Sequence, residues 1–184
     1  MDIKKILTSG ESETVEFKES FDKETIETVV AFSNTRGGVI VVGASDKGDV
    51  KGIDIGKKTL NSWTNQVTQG TEPTVIPEIN VVELDGKTMV LIHIKEFPLK
   101  PVATRGRCFK RVGNSNRQMS PQEIAQMHLS ATGSSWDALP AKDVTIDDID
   151  FEKVKGYIKK AGSIGRRKIG DDEDPVKVLE KMEL

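Results

Sequence analysis

Glu11-Ser-Glu-Thr-Val-Glu-Phe-Lys18 and Ala31-Phe-Ser-Asn-Thr-Arg-Gly-Gly-Val-Ile-Val-Val-Gly-Ala-Ser-Asp46 are the two stretches that decide the fold of this chain. In the first stretch, polar and apolar residues alternate from Thr14 to Lys18, which predicts a half-buried strand. In the second, Gly37-Gly38 ends a helix, and the apolar run at residues 39–44 predicts a central strand buried on both faces. Together the two stretches predict a strand, a helix and a second strand.

The segments around these stretches complete a pattern of mixed helices and strands. Asp22, or a residue just after it, is a suitable cap for a helix that we expect to run to about Thr35. The Asp85-Gly86 pair lies between two alternating runs and predicts a β-hairpin, and Ser120-Pro121-Gln-Glu123 predicts a capped helix start. Further predicted elements are a short helix at 2–8, a helix at 58–69, strands at 79–83, 88–95 and 108–112, and a helix ending near 129. The sequence therefore predicts an α+β fold, a mixed β-sheet with packed helices.

Length, charge and cysteine content exclude several classes of protein. A chain of 184 residues is long enough for one good core with a small addition. The net charge of −2 does not by itself indicate a nucleic-acid-binding protein. The single cysteine, Cys108, excludes an internal disulfide framework and a cysteine-rich zinc site. Because no apolar run approaches the roughly 20 residues of a membrane span, we expect a cytoplasmic protein without a membrane partner.

A change of composition divides the chain into two parts. We expect residues 1–136 to form the α+β domain. Residues 137–184 are predicted to be a linker and the start of a helical C-terminal region, with a helix at about Phe151 to Lys160. Because the last residues are still predicted to be helical, we expect that region to continue beyond Leu184.

Four sequence blocks occur in an order that resembles the Schlafen-AlbA type domain. They are Glu-x-x-x-x-Glu-Phe-Lys at 11–18, Ala-Phe-Ser-Asn-Thr-x-Gly-Gly at 31–38, Gly-x-x-Asp at 43–46 and Phe-Lys-Arg-Val-Gly-Asn-Ser-Asn-Arg at 109–117. The resemblance covers about residues 8–132. Prokaryotic members of that family resemble DNA-binding proteins and transcriptional regulators, and the resemblance implies such a role here.

The resemblance also implies an acidic site. Animal Schlafens of the family include nucleases that cut transfer RNA with three carboxylates, and matching the motifs places these at Glu11, Glu16 and Asp46. Such a site would hold Mg²⁺ or Mn²⁺, because all of its ligands are oxygen atoms, and Lys18 would orient water or phosphate. One departure is Ser45, which stands where the family often has a further acid. The animal enzymes join two such lobes, and a homodimer would supply the second lobe here.

The residues alone also allow a plain structural interpretation of these acids. Glu11 and Glu16 are five residues apart, a spacing that does not place them on one face of a strand or a helix. Surface carboxylates on an edge strand are therefore the favoured interpretation without the family. The family blocks, together with Asp46, favour a cluster instead.

A basic segment offers a second candidate site. Residues 97–122 contain six lysines and arginines and no acidic residue. A local positive charge of this kind attracts the phosphate backbone of nucleic acids and makes binding dependent on salt. The candidate contact residues are Lys100, Arg105, Arg107, Lys110, Arg111, Asn114, Asn116 and Arg117.

Three functions remain open at this point. The favoured one is a nucleic-acid-binding domain of a prokaryotic transcriptional regulator, with DNA as the favoured ligand. The alternative is a metal-dependent endoribonuclease that uses the three carboxylates. An ATP-binding domain, which an older family label of divergent AAA ATPase suggests, is disfavoured because the chain has no Gly-x-x-x-x-Gly-Lys-Ser/Thr sequence.

Overall fold

A computed structural model describes residues 3–132 and 145–163 of the chain, together with residues 174, 176 and 177. The chain divides into two units, Met1–Gly133 and Ser134–Leu184. The first unit contains α1 (Ile3–Ser9), β1 (Val15–Lys18), α2 (Lys23–Asn34), β2 (Gly38–Val42), α3 (Thr59–Gly70), β3 (Glu78–Leu84), β4 (Lys87–Ile94), β5 (Phe109–Val112), β6 (Ser115–Gln118) and α4 (Pro121–Ala131). The second contains a 3₁₀ turn at Ile146–Asp148 and the helix α5 (Phe151–Ser163). The predicted α+β fold and the helical C-terminal segment are confirmed, while the predicted boundary after residue 136 lies outside the described residues.

Four strands form a mixed sheet in the order β1-β2-β4-β3. β1 is parallel to β2, whereas β4 is antiparallel to both of its neighbours. The link from β3 to β4 is the predicted hairpin, and its turn residues Asp85 and Gly86 have φ values of 51° and 72°. Positive φ at both positions is the conformation of a type I′ turn, which Asp-Gly favours. Strands β5 and β6 form a separate antiparallel pair, called the β5–β6 hairpin below.

Hydrophobic side chains cover both faces of the sheet at β2. Ile40 and Val42 lie in one core cluster with residues of α2 and α3. Val39 and Val41 lie in a second cluster with Ile6 of α1. Alternate residues of β2 thus face different layers, because successive side chains of a strand point to opposite faces. The prediction that this strand is central and buried on both faces is confirmed.

The Gly37-Gly38 pair is required by close packing of the backbone. Gly37 has a φ of 72°, and a Cβ atom there would lie 2.6 Å from the carbonyl oxygen of Ile94. A Cβ atom on Gly38 would lie 2.7 Å from the carbonyl oxygen of Thr14 and 2.8 Å from the ring of Phe32. All three distances are shorter than real Cβ atoms show. The glycines therefore bring α2 close to the sheet, and this structural role needs no ligand.

Both predicted helix caps are confirmed. The Asp22 side chain accepts a hydrogen bond from the Thr25 N–H group, and the Thr25 hydroxyl accepts one from the Asp22 N–H group. Ser120 and Glu123 exchange the same pair of bonds at the start of α4. These bonds satisfy N–H groups that have no partner within the first helical turn.

Candidate nucleic-acid interface

A buried ion pair joins β1 to the β5–β6 hairpin. Nη1 of Arg111 lies 2.8 Å from Oε2 of Glu16, and the two residues are 4% and 5% exposed. Nη2 of Arg111 donates to the carbonyl oxygen of Ser12 at 2.7 Å. The guanidinium also lies over the ring of Phe32, 4.9 Å from its centroid, where a cation–π attraction adds to the ion pair. These contacts hold the hairpin against β1 and α2.

This ion pair corrects two predictions. The alternation in β1 predicts that Glu16 faces solvent, and the basic segment predicts that Arg111 contacts phosphate. The β5–β6 hairpin covers the polar side of β1, so Glu16 is buried and the side chain of Arg111 has no exposed surface. A phosphate could therefore reach Arg111 only if the hairpin moved away.

Asn116 also has a structural role. Its Oδ1 atom accepts a hydrogen bond from Nη1 of Arg111 at 2.8 Å, and its Nδ2 atom donates to Oγ1 of Thr28 at 2.7 Å. The Asn116 amide therefore links α2 to the buried arginine, and the predicted phosphate contact by Asn116 stays a prediction. Asn116 lies in β6.

Asn34, at the end of α2, binds two distant segments of the chain. Its Nδ2 atom donates to the carbonyl oxygens of Val102 and Phe109 at 2.8 and 2.9 Å. Its Oδ1 atom accepts from the N–H group of Val102 at 2.6 Å. Asn34 is 3% exposed, so these bonds are made without competition from water. The asparagine of the second family block thus fixes the start of the β5–β6 hairpin.

The three candidate acids are close enough to interact but have different surroundings. Glu11 is half-buried and accepts a hydrogen bond from the Phe17 N–H group through Oε1 at 3.1 Å. Glu16 is buried, whereas Asp46 is exposed after the end of β2. Partial burial raises the pKa of Glu11, and the negative charges of Glu16 and Asp46 raise it further against the opposing effect of the Phe17 hydrogen bond. The structure therefore brings the three charges into one region.

The arrangement of these acids does not fit a divalent cation. Both oxygens of Glu16 already face cations, since Oε2 binds Arg111 and Oε1 lies 3.1 Å from Nζ of Lys18. Partial burial lowers the pKa of Lys18, but the hydrogen bonds and charges of Glu16 and Glu24 outweigh it, and the pKa is raised. Lys18 thus stays charged and bound to Glu16. Within residues 3–132 and the other described residues, no group of three or more His, Cys, Asp or Glu side chains is placed to hold a metal ion.

The raised pKa of Glu11 predicts how one substitution changes stability with pH. The folded state holds the Glu11 proton more tightly than the unfolded chain does, so the ionised carboxylate destabilises the fold above the folded pKa. This loss of stability disappears as the pH falls below the pKa of Glu11 in the unfolded chain, which is near 4.5. We expect Glu11→Gln, whose amide oxygen still accepts from Phe17, to raise the free energy of unfolding at neutral pH and to have no such effect below the unfolded pKa.

Urea denaturation of both proteins at the two pH values measures this difference. Each protein carries the same other titrating groups, so their contributions cancel when the two are compared. A Glu11→Gln variant that is less stable than the parent at neutral pH would contradict the expectation.

Three of the six basic residues of the segment are neutralised by acids outside it. Nζ of Lys110 lies 2.8 Å from Oε1 of Glu123, and Nζ of Lys100 binds Oε1 of Glu96. The third is Arg111, in the buried pair described above. Residues 97–122 contain no acid, but Glu96 and Glu123 lie immediately beside this segment in the sequence. The segment therefore does not present six unpaired positive charges.

The other three basic residues remain available. Arg105, Arg107 and Arg117 are exposed, and none of them forms an ion pair with a residue that the structure describes. Arg117 lies opposite Lys110 in the β5–β6 hairpin. The exposed Asn114 occupies the turn of that hairpin, next to the glycine that begins it. Arg105, Arg107, Asn114 and Arg117 are therefore the exposed members of the predicted basic site.

A tight turn presents two of these arginines. Thr104 and Arg107 exchange backbone hydrogen bonds of 2.9 Å, and between them Arg105 and Gly106 have φ values of 49° and 71°. Positive φ is uncommon for a residue other than glycine, and the short polar Asn and Asp tolerate it best. An arginine at this position is therefore held there against its ordinary backbone preference.

Arg105 and Arg107 also line a groove of about 420 Å³ that the sequence analysis did not predict. Its remaining polar side chains include residues of α2 and α3: Lys23, Glu27, Gln66 and Gln69. Local spacing gives only a weak signal for such a site. Gln66 and Gln69 are three residues apart and so share a helix face, but nothing in the sequence connects that face to the arginine turn.

No helix in the described part of the chain is long and apolar enough to cross a membrane.

Residues 11–120 match the family model described as Schlafen, AlbA_2. No curated protein matches the chain.

Two solved structures are similar to this chain. The DIP2311 protein of Corynebacterium diphtheriae has a TM-score of 0.55 and 18% identity, over 98% of this chain and 36% of that protein. The N-terminal domain of a RecG-related protein of Nitrosomonas europaea has a TM-score of 0.49 and 24% identity, over 65% of this chain and 94% of that domain. This chain thus spans about a third of the length of DIP2311, with which it shares the fold. Because the family model covers more than half of the sequence, the chain belongs to the Schlafen AlbA_2 family.

Proposed function

We propose that this chain is a nucleic-acid-binding domain that contacts phosphate through Arg105, Arg107, Arg117 and Asn114. The observation that carries the proposal is that the three arginines are exposed and have no acidic partner among the described residues. A guanidinium presents a planar set of donors that matches two phosphate oxygens, and each phosphate contact releases counterions. Membership of the Schlafen AlbA_2 family supports a nucleic-acid-related role.

Finer statements about the role depend on the resemblance of the four sequence blocks. We propose from it that DNA is the preferred ligand and that the chain belongs to a prokaryotic transcriptional regulator. We also propose that a homodimer supplies a second lobe. The arginines themselves favour phosphate-bearing polymers of either kind, because phosphate contacts carry no direct information on sequence.

Removal of the three arginines tests the proposal. We expect the Arg105→Ala/Arg107→Ala/Arg117→Ala variant to bind labelled DNA and RNA oligonucleotides on the order of 100-fold more weakly, because about three phosphate contacts are lost. The slope of log affinity against log salt concentration should fall by about 3. Fluorescence anisotropy titrations at several salt concentrations measure both quantities.

A matched variant separates a specific surface from net charge. Lys47→Ala/Lys51→Ala/Lys57→Ala removes the same charge from three exposed lysines outside the proposed surface, and these lysines form no ion pair with a described residue. We expect this variant to bind within about threefold of the parent, with the difference set by long-range charge alone. Equal losses in the two variants, or no loss in either, would contradict the proposal.

The endoribonuclease alternative is supported by the proximity of Glu11, Glu16 and Asp46 and opposed by the ion pairs of Glu16. Asp46→Asn is the informative variant, because Asp46 is exposed and its replacement leaves the buried pair intact. Transfer RNA is incubated with the parent and the variant in Mg²⁺ or Mn²⁺, with a chelator as the control. Metal-dependent cleavage that Asp46→Asn abolishes would establish the nuclease and overturn a role limited to binding.

A further inference from the structure

The groove beside the arginine turn has the composition of a site for a single nucleotide. Three cations line it, Lys23, Arg105 and Arg107, together with the carboxylate of Glu27. The amides of Gln66 and Gln69 contribute donors and acceptors, and Ile26 and Phe109 contribute apolar surface. The cations come from the start of α2 and from the turn at 104–107, whereas the amides come from the end of α3.

The carboxylate and the amides distinguish this groove from a surface for duplex phosphates. Glu27 would repel a phosphate, but a carboxylate accepts hydrogen bonds from the exocyclic amino groups of bases. A glutamine amide can donate and accept at the same time, which suits the edge of a base. Gln69 makes no hydrogen bond through its side chain with a residue that the structure describes, and Gln66 makes one only, a long bond of 3.3 Å to Ser62.

The size of the groove limits what can enter it. A volume of about 420 Å³ lies at the lower end of the range for small-molecule sites, roughly 300–1,000 Å³. One nucleotide fits such a space, but a base within a duplex cannot enter, because its edge is paired and its faces are stacked. Proteins that recognise bases outside a duplex bind unstacked nucleotides in this way.

The backbone of the turn gives independent support. Arg105 occupies a left-handed conformation at φ 49°, which a side chain with a Cβ atom adopts at a cost in energy. Strained residues of this kind are concentrated at ligand sites. Here the conformation places an arginine beside the groove.

We propose that this groove holds one unpaired nucleotide of a single-stranded nucleic acid. Lys23, Arg105 and Arg107 contact its phosphate groups, and Glu27, Gln66 and Gln69 contact the edge of its base. This inference deepens the proposed function and rests on it, since it assigns to the same basic surface a preference for single strands.

The uncharged glutamines allow a test that is independent of phosphate attraction. The probes are a labelled single-stranded DNA dodecamer of mixed sequence, its duplex, and AMP as the free nucleotide, each titrated into the whole chain. We expect the parent to bind the single strand about 10-fold more tightly than the duplex. Gln66→Ala/Gln69→Ala should weaken single-strand binding by about 10-fold and change duplex binding by less than about twofold, since both glutamine contacts to the edge of one base are lost.

The control is Gln122→Ala/Gln126→Ala, which removes two exposed glutamines from α4 without changing the charge, and which should leave both affinities unchanged. If the glutamine variant binds the single strand and the duplex as tightly as the parent does, the inference is overturned. The arginine variant then still decides the proposed function. AMP that binds as tightly as the dodecamer identifies a free nucleotide as the ligand and overturns the assignment to a strand. No binding of either oligonucleotide by the parent overturns both proposals.

Discussion

Arg111→Ala is expected to destabilise the protein by about 3–5 kcal/mol, the largest effect of any substitution considered. The substitution leaves the carboxylate of Glu16 buried, with only Lys18 as a partner among the described residues, and removing one partner of a buried ion pair is far more costly than losing a surface ion pair. It also removes the donor to the Ser12 carbonyl oxygen and the contact with Phe32. Urea denaturation with linear extrapolation measures the loss.

Two further variants identify the cause of that loss. Arg111→Lys keeps the positive charge but cannot bind Glu16, Asn116 and Ser12 at once, so we expect an intermediate loss. Glu16→Met/Arg111→Met removes both charges, and we expect it to be more stable than Arg111→Ala, because no charge is left buried without its partner. A loss below about 1 kcal/mol for Arg111→Ala would contradict the assignment of this pair as the main link between β1 and the β5–β6 hairpin.

Asn34→Ala is expected to destabilise the protein by about 2–4 kcal/mol. The substitution leaves the N–H and carbonyl groups of Val102 and the carbonyl oxygen of Phe109 without partners in a buried region. Each buried backbone group without a partner costs about 1–3 kcal/mol, and partial relaxation reduces the sum. The same denaturation measurement gives the magnitude.

Asn34→Asp is the control for this variant because it has nearly the same shape. Its carboxylate can still accept from the Val102 N–H group but faces two carbonyl oxygens, so we expect a loss similar to that of Asn34→Ala. If Asn34→Asp were as stable as the parent, the donor role of Asn34 would be contradicted. We also expect both variants to weaken nucleic-acid binding, because Asn34 fixes the segment that leads into the β5–β6 hairpin and Arg117.

The predicted basic site shows why charge along the sequence is an incomplete guide to function. The six cations of residues 97–122 look equivalent in the sequence, but only Arg105, Arg107 and Arg117 remain without an acidic partner among the described residues. The partner of Arg111 is Glu16, which precedes it by 95 residues. No local pattern indicates that pairing, because it depends on the packing of the β5–β6 hairpin on β1.

The role of the predicted acidic site likewise depends on residues that no local sequence pattern indicates. The family blocks predict that Glu11, Glu16 and Asp46 form one acidic site, and the pKa of Glu11 is raised by partial burial and by the negative charges of Glu16 and Asp46. They do not indicate that Glu16 is bound by two cations, a fact that depends on Arg111 and Lys18. The same carboxylate can serve as a metal ligand or as a structural counter-ion, and its surroundings in the fold decide which role it takes.

The sequence by itself determined the elements whose signals are local. The Asp22 cap, the Ser120 capping box, the Asp85-Gly86 turn and the apolar run of β2 predicted elements within one or two residues of their observed bounds, because each depends on neighbours in the chain. Strand β6 was not predicted, since its sequence Ser-Asn-Arg-Gln is entirely polar and it forms through pairing with β5. Only the tertiary structure decided which charges are buried, which are paired and which line a groove. Those properties depend on side chains far apart in sequence, and the free energy of a charge is set by the atoms around it in space.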